Sequence, residues 1–159
     1  MQIRQIKQED NAELAGVIRN ILEEHGVARP GTVYTDPTTD ALFELFREQG
    51  SVYFVAMDGG KIVGGCGIYP TSGLPEGMSE LVKLYLHQEH RGKGIGKKLM
   101  QESIDFAKNY GYDSLYLETL DELSDAIQLY YKLGFKMIEG ALGNTGHFAC
   151  NIRMVKKLF

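Results

Sequence analysis

The succession of apolar patterns along the 159 residues predicts an α/β fold, a mixed central sheet with helices on both faces. Three observations carry the prediction. The run SELVKLYLHQEHRGKGIGKKLM from Ser79 to Met100 changes from strand-like apolar content over Leu81–Leu86 to helical period from Gly94 onward, across a short polar connector. Ser51–Met57 and Lys61–Tyr69 are strand runs separated only by Asp58-Gly59-Gly60, the pattern of a tight hairpin. Apolar residues also recur at helical spacing in several other segments, so helices and strands are interleaved along one chain.

Taken in order, Gln2–Lys7 reads as an edge strand with imperfect alternation, because Ile3 and Ile6 fall on opposite faces. Asn11 is a plausible N-cap for a helix carrying Leu14, Val17, Ile18, Ile21 and Leu22, and Gly26 ends it. Residues 27–38 contain Pro30, Gly31 and Pro37 and read as a loop. Thr39 or Asp40 caps a second helix with Leu42, Phe43, Leu45 and Phe46 on its apolar face. After the hairpin, Pro70–Gly77 is a turn-rich loop into the central strand. The helix from about Gly94 to Tyr110 stops at Gly111, and Ser114–Thr119 is the next strand. Ser124–Leu133 is helical, Phe135 begins a short strand after Gly134, and His147–Val155 forms the last strand.

Composition narrows the function classes. The length is that of one domain with a single core, and no segment approaches the apolar run needed to span a bilayer. The start MQIRQIKQED has no apolar signal core, so a cytoplasmic protein with no membrane partner is expected. Net charge is −4, where a general nucleic-acid binder is expected to be basic. Cys66 and Cys150 form no C-x-x-C pair, each lies in a strand-like run, and free thiols without a metal are expected.

The glycine-rich turn Arg91-Gly92-Lys93-Gly94-Ile95-Gly96 is where chemistry is expected. Amide N–H groups at the start of a helix lack intrahelical partners and lie at the positive end of its dipole, so they suit a phosphate. Arg91, Lys93, Lys97 and Lys98 add positive charge. The nucleotide P-loop spacing fails twice, with Arg91 where its first Gly belongs and Lys98 where Ser or Thr belongs. The dinucleotide fingerprint fails at Lys97, where its third Gly belongs.

The same six residues resemble motif A of the GNAT superfamily of N-acetyltransferases, Arg/Gln-x-x-Gly-x-Gly/Ala after a central strand. Further on, Ala126-Ile127-Gln128-Leu129-Tyr130-Tyr131-Lys132-Leu133-Gly134-Phe135 resembles its motif B, Ala-x-x-Leu-Tyr-x-x-x-Gly-Phe. The resemblance implies the acyl-CoA N-acyltransferase fold and acetyl-CoA as co-substrate. It further implies direct acetyl transfer to a primary amine, small-molecule or peptide, by a monomer or homodimer. It places the pantetheine arm and thioester against the main chain of Leu84, Tyr85 and Leu86. The pyrophosphate falls on Arg91, Gly92, Lys93, Gly94, Ile95, Gly96 and Lys97.

Tyr130 occupies the motif B position of a general acid, and Tyr131 a variable one. Many relatives carry Asn three residues before the motif B alanine; Leu123 stands here, followed by Ser124, the candidate replacement for that cofactor contact. Glu80, at the start of the central strand, corresponds to a glutamate some members use as general base, although a strand-end glutamate is more often a solvated surface residue. Glu118 and His147 are its rivals. Tyr34, Thr35 and Asp36 are candidate acceptor contacts, because the family builds its acceptor pocket from this region. A noncatalytic acyl-CoA sensor on the same scaffold is the competing function, and retention of Tyr130 argues for the enzyme.

Overall fold

A computed structural model describes residues 1–159. The chain forms β1 (Gln2–Gln5), α1 (Asn11–Glu24), α2 (Leu42–Leu45), β2 (Val52–Asp58), β3 (Lys61–Tyr69) and β4 (Met78–Leu86). It continues through α3 (Ile95–Tyr110), β5 (Ser114–Thr119), α4 (Ser124–Lys132), β6 (Lys136–Met137) and β7 (Ile152–Lys157). The seven strands make one sheet in the order β1-β2-β3-β4-β5-β7-β6. Every pairing is antiparallel except that of β4 with β5, whose connection carries α3. The sheet is therefore mixed, as the sequence predicts.

Each face of the sheet has its own apolar layer. Ile95, Leu99, Met100, Ile104 and Ala107 of α3 meet Ala56, Cys66, Ile68, Leu81 and Leu115 on one face, joined there by Tyr130 of α4. Leu14, Ile18 and Leu22 of α1 meet Tyr53, Val55, Ile62 and Val82 on the other. Both helices place their apolar residues three and four apart, and the stripe so formed is what they bury.

Four local expectations are corrected. Asn11 is the first residue of α1 rather than its cap; its side chain accepts from the Phe43 amide and donates to Glu44, stapling α2 to α1. The second helix is a single turn, preceded by a 3-10 turn at Pro37–Asp40 that the Asp36 carboxylate caps through the Thr38 amide. The last strand starts at Ile152 and not at His147, so His147 and Cys150 lie in the preceding loop, whose 139–146 stretch holds three left-handed glycines. The central strand begins at Met78, two residues before Glu80, which makes Glu80 an interior strand residue. Both cysteines are free.

Two irregularities of β4 position the site. Its pairing with β5 covers only Met78↔Ser114, Ser79↔Leu115 and Glu80↔Tyr116, after which the two parallel strands part. Its pairing with β3 slips between Gly65 and Gly67, and there Lys83 takes φ +55°, the only positive φ at a non-glycine residue. A left-handed L-residue costs about 1 kcal/mol or more, so the bulge must be held. Tyr53, 1% exposed, holds it by donating its hydroxyl to the Lys83 carbonyl at 2.8 Å. Its ring lies where a Cβ on Gly65 or Gly67 would overlap it, which is why those two β3 positions carry no side chain.

Candidate active site

The extra residue at the bulge decides which side chains face which layer. Leu81, Leu84 and Leu86 belong to the α3 layer, whereas Val82 and Tyr85 belong to the α1 layer. The odd step from Leu81 to Leu84 leaves Lys83 on the same side as Glu80 and Val82, instead of among apolar α3-face residues. All three line a cavity of about 300 Å³ with Asp36, Thr71, Asn144, Thr145 and His147. A second, narrower cavity shares Glu80, Val82, Lys83 and His147 and continues past Glu118, Tyr85 and Cys150.

The three rival bases thus border one connected space, in different states. Glu80 is 5% exposed, which overturns the expectation of a solvated surface residue. Burial pushes its carboxyl above the usual glutamate range, opposed by a hydrogen bond from the Thr71 hydroxyl at 2.5 Å and by the Lys83 charge. Glu118 accepts from the Tyr116 and Thr145 hydroxyls. His147 Nε2 lies 2.9 Å from the Asp36 carboxylate. That contact, with the Thr38 hydroxyl and amide, holds Asp36 well below the usual carboxylate range.

Of the candidate acceptor contacts, only Asp36 reaches the cavity. The Tyr34 hydroxyl donates to Glu23 of α1, and Thr35 is exposed. Tyr130 is 5% exposed, its ring edge-on to Phe135 with centroids 5.9 Å apart. Burial raises its phenol far above the ordinary value, with Cys66, Tyr85 and Cys150 as its titratable neighbours and no hydrogen bond contributing. Tyr131 is 47% exposed and lies outside this arrangement.

At the other end of the opening between β4 and β5, Gly94 caps α3 at φ +82°, and no side chain satisfies the first amides of the helix. A Cβ on Gly92 or Gly94 would meet open space. Lys93, Lys97 and Lys98 are exposed, while Ile95 turns its side chain into the core and offers the ligand side only its main chain. Arg91 is engaged within the protein: its Nε donates to the Leu86 carbonyl at 2.9 Å and its Nη2 to Glu24 at 2.9 Å. Its guanidinium ties the end of β4 to α1. Gly96 faces Leu129 of α4, 3.3 Å from where a Cβ would be, so its small size serves helix packing rather than the open side of the loop. Ser124 begins α4 with an exposed hydroxyl.

A mixed sheet whose central parallel pair parts beside an uncapped helix start is the frame the motifs imply. A model of the acetyltransferase (GNAT) family matches residues 16–135. The chain belongs to the GNAT acetyltransferase family. It is an acyl-CoA-dependent N-acyltransferase of that family. It is 40% identical over 157 residues to an uncharacterized N-acetyltransferase of Escherichia coli, YjgM, covering 98% of this chain and 94% of that protein. It is 37% identical over 106 residues to N-acetyltransferase 8 of Rattus norvegicus, covering 65% of this chain. The match takes in only 47% of the rat protein. A GNAT acetyltransferase of Staphylococcus aureus superposes with a TM-score of 0.86 at 25% identity, over 99% of both chains. The PaiA N-acetyltransferase of Thermoplasma acidophilum, solved with coenzyme A, has the same fold, with a TM-score of 0.74 at 23% identity over 98% of both chains.

Within this GNAT frame, sequence reasoning missed Lys83, Thr71, Thr145 and the pairing of Asp36 with His147. Lys83 left one faint trace, a charge inside the apolar run Leu81–Leu86. The others lie in loops and meet only through the tertiary structure.

Proposed function

We propose that this protein transfers the acetyl group of acetyl-CoA to a primary amine by direct attack within a ternary complex, the 159 residues acting as a single N-acetyltransferase domain. The observation that carries the reading is the opening between β4 and β5 after Glu80↔Tyr116. It joins an uncapped helix start, suited to pyrophosphate, to a cavity holding a buried glutamate, suited to an amine.

In this mechanism the free amides at the start of α3, from Ile95, Gly96 and Lys97, receive the pyrophosphate, with Gly92 and Gly94 allowing close approach. Lys93 and Lys97 add charge from solvent, and Ser124 contributes its hydroxyl from the facing helix. The thioester lies along Leu84, Tyr85 and Leu86, where main-chain groups unpaired with β5 are available to the developing oxyanion. Glu80 takes the proton of the acceptor ammonium, directly or through water, and burial, by raising its pKa, makes it a stronger base than a solvated glutamate. The amine nitrogen then forms a bond to the carbonyl carbon, the carbon–sulfur bond breaks with its electron pair leaving on sulfur, and the second proton lost from nitrogen passes through solvent to that thiolate, which departs as free thiol.

Tyr130 stabilises the departing thiolate. Its phenol sits above its ordinary 10.0, whereas an ordinary thiol titrates at about 8.5, so complete proton transfer from phenol to thiolate is uphill. Tyr130 therefore acts as a hydrogen-bond donor, holding its proton while the charge on sulfur develops. The test is release of free thiol from acetyl-CoA in the presence of a panel of primary amines, with the acetylated product identified by mass. Acetyl-CoA binding with no thiol released by any amine in the panel would refute the reading.

A further inference from the structure

The 300 Å³ cavity contains charge that the acetyl-transfer chemistry does not use. Its acidic groups are already served by the protein: Glu80 by the Thr71 hydroxyl, Asp36 by His147 and Thr38, and Glu118 in the adjoining cavity by Tyr116 and Thr145. Lys83 is the exception. Its side-chain nitrogen has no hydrogen bond or ion pair within the protein; burial lowers its pKa, opposed at longer range by the charges of Asp36 and Glu80. It is nevertheless brought to this face at the expense of a left-handed backbone, held by Tyr53 over Gly65 and Gly67. Without the bulge the strand alternation would turn it toward the apolar α3 layer.

We infer that the acceptor of this N-acetyltransferase is a small amine that also carries a carboxylate, a free amino acid or a close analogue, with that carboxylate bound on the Lys83 ammonium. The inference rests on the function proposed above and narrows it. A cation partly withdrawn from water, whose two nearby carboxylates, Asp36 and Glu80, already have other hydrogen-bond partners, gains a direct partner from an incoming anion. The Ser72 hydroxyl and Asn144 carboxamide border the same cavity as further donors. The ligand's ammonium finds the opposite environment at Glu80, so one cavity offers both poles a zwitterion needs. Its volume, about 300 Å³, is enough for a single amino acid.

The test compares matched acceptors, each amino acid against the amine left by removing its carboxylate, by thiol release on wild type, Lys83→Met and Lys83→Arg. Wild type is expected to prefer the carboxylated member by about tenfold to hundredfold in kcat/KM, the range for one charge-assisted hydrogen bond. Lys83→Met should abolish that preference through a raised KM, with acetyl-CoA binding unchanged, and Lys83→Arg should keep part of it. Methionine removes a cation without a protein partner, so the variant is expected to fold. Equal use of both members by wild type, or a preference that survives Lys83→Met, overturns the inference and leaves the transferase intact. A loss confined to kcat assigns Lys83 to proton transfer and overturns its role as anchor. If wild type acetylates neither member of any pair, this inference fails; the transferase reading fails with it only if amines of every other class are also refused.

Discussion

Replacing Tyr130 by Phe should lower activity without lowering stability. The ring is 5% exposed and packs on Phe135, and phenylalanine preserves those contacts. The hydroxyl has no hydrogen bond contributing within the protein, so its removal sacrifices no partner and relieves a poorly solvated polar group. Stability should stay level or rise by up to about 1 kcal/mol. If the hydroxyl donates to the departing thiolate, kcat should fall about 10²-fold, equivalent to about 2.7 kcal/mol in the barrier. Urea unfolding, acetyl-CoA titration and thiol release on the same preparation read the three quantities. Tyr131→Phe, at a position 47% exposed, is the control and should be neutral in all of them. Unchanged kcat in Tyr130→Phe removes the residue from the chemistry, and a stability loss above about 1 kcal/mol shows that the hydroxyl has a structural partner.

Changes at three further residues have outcomes set by the geometry. Glu80→Gln should lower kcat/KM most near neutral pH and recover in part at high pH, where free amine is abundant. Because the folded-state pKa of Glu80 is raised, its favourable contribution is present below the unfolded value of about 4.5 and is lost as pH rises through the folded value. Glu80→Gln should therefore gain stability over wild type at pH 8 and not at pH 4, and chemical denaturation at the two pH values checks the sign. Gly94 is at φ +82° with open space beside it, so Gly94→Asn tests shape and Gly94→Asp adds charge at an N-terminus where the helix dipole favours it. Both should fold, and Gly94→Asp should weaken acetyl-CoA binding by at least about tenfold relative to Gly94→Asn, measured by calorimetry. Tyr53→Phe removes the hydroxyl bonded to Lys83 and should cost about 1 kcal/mol by urea unfolding, with no cost meaning the bulge stands without it.

Most of the frame was legible because it is written in local pattern. The hairpin closing Asp58 on Lys61, the period of α3 with Gly111 at its end, and the order of all eleven elements follow from turn chemistry and periodicity. The errors lie where tertiary contacts override the local signal. His147 and Cys150 sit in a strand-like apolar stretch yet are held in a loop, with the Cys150 amide bonded to the His147 carbonyl and the Asn151 amide to that of Thr119. Glu80 reads as a strand-end charge because the strand begins at Met78, three residues before its apolar run at Leu81. Arg91 and Gly96 match motif A by residue type, but their side-chain surroundings, Glu24 with the Leu86 carbonyl and Leu129, are nonlocal. Lys83 could not be assigned a face by counting, since the bulge that turns it depends on Tyr53 thirty residues away. The 300 Å³ cavity is assembled from such contacts: Asp36, Glu80 and His147 of its lining are legible as candidates in the sequence, whereas Lys83, Thr71 and Thr145 are not.

Direct transfer in a ternary complex is tested most plainly by mixing the enzyme with excess acetyl-CoA without any amine and following thiol release at early times. Direct transfer gives no stoichiometric burst and, with a productive acceptor, initial-rate lines that intersect as both substrates are varied. A burst of one thiol per enzyme with a covalently acetylated chain, followed by parallel lines, would contradict it.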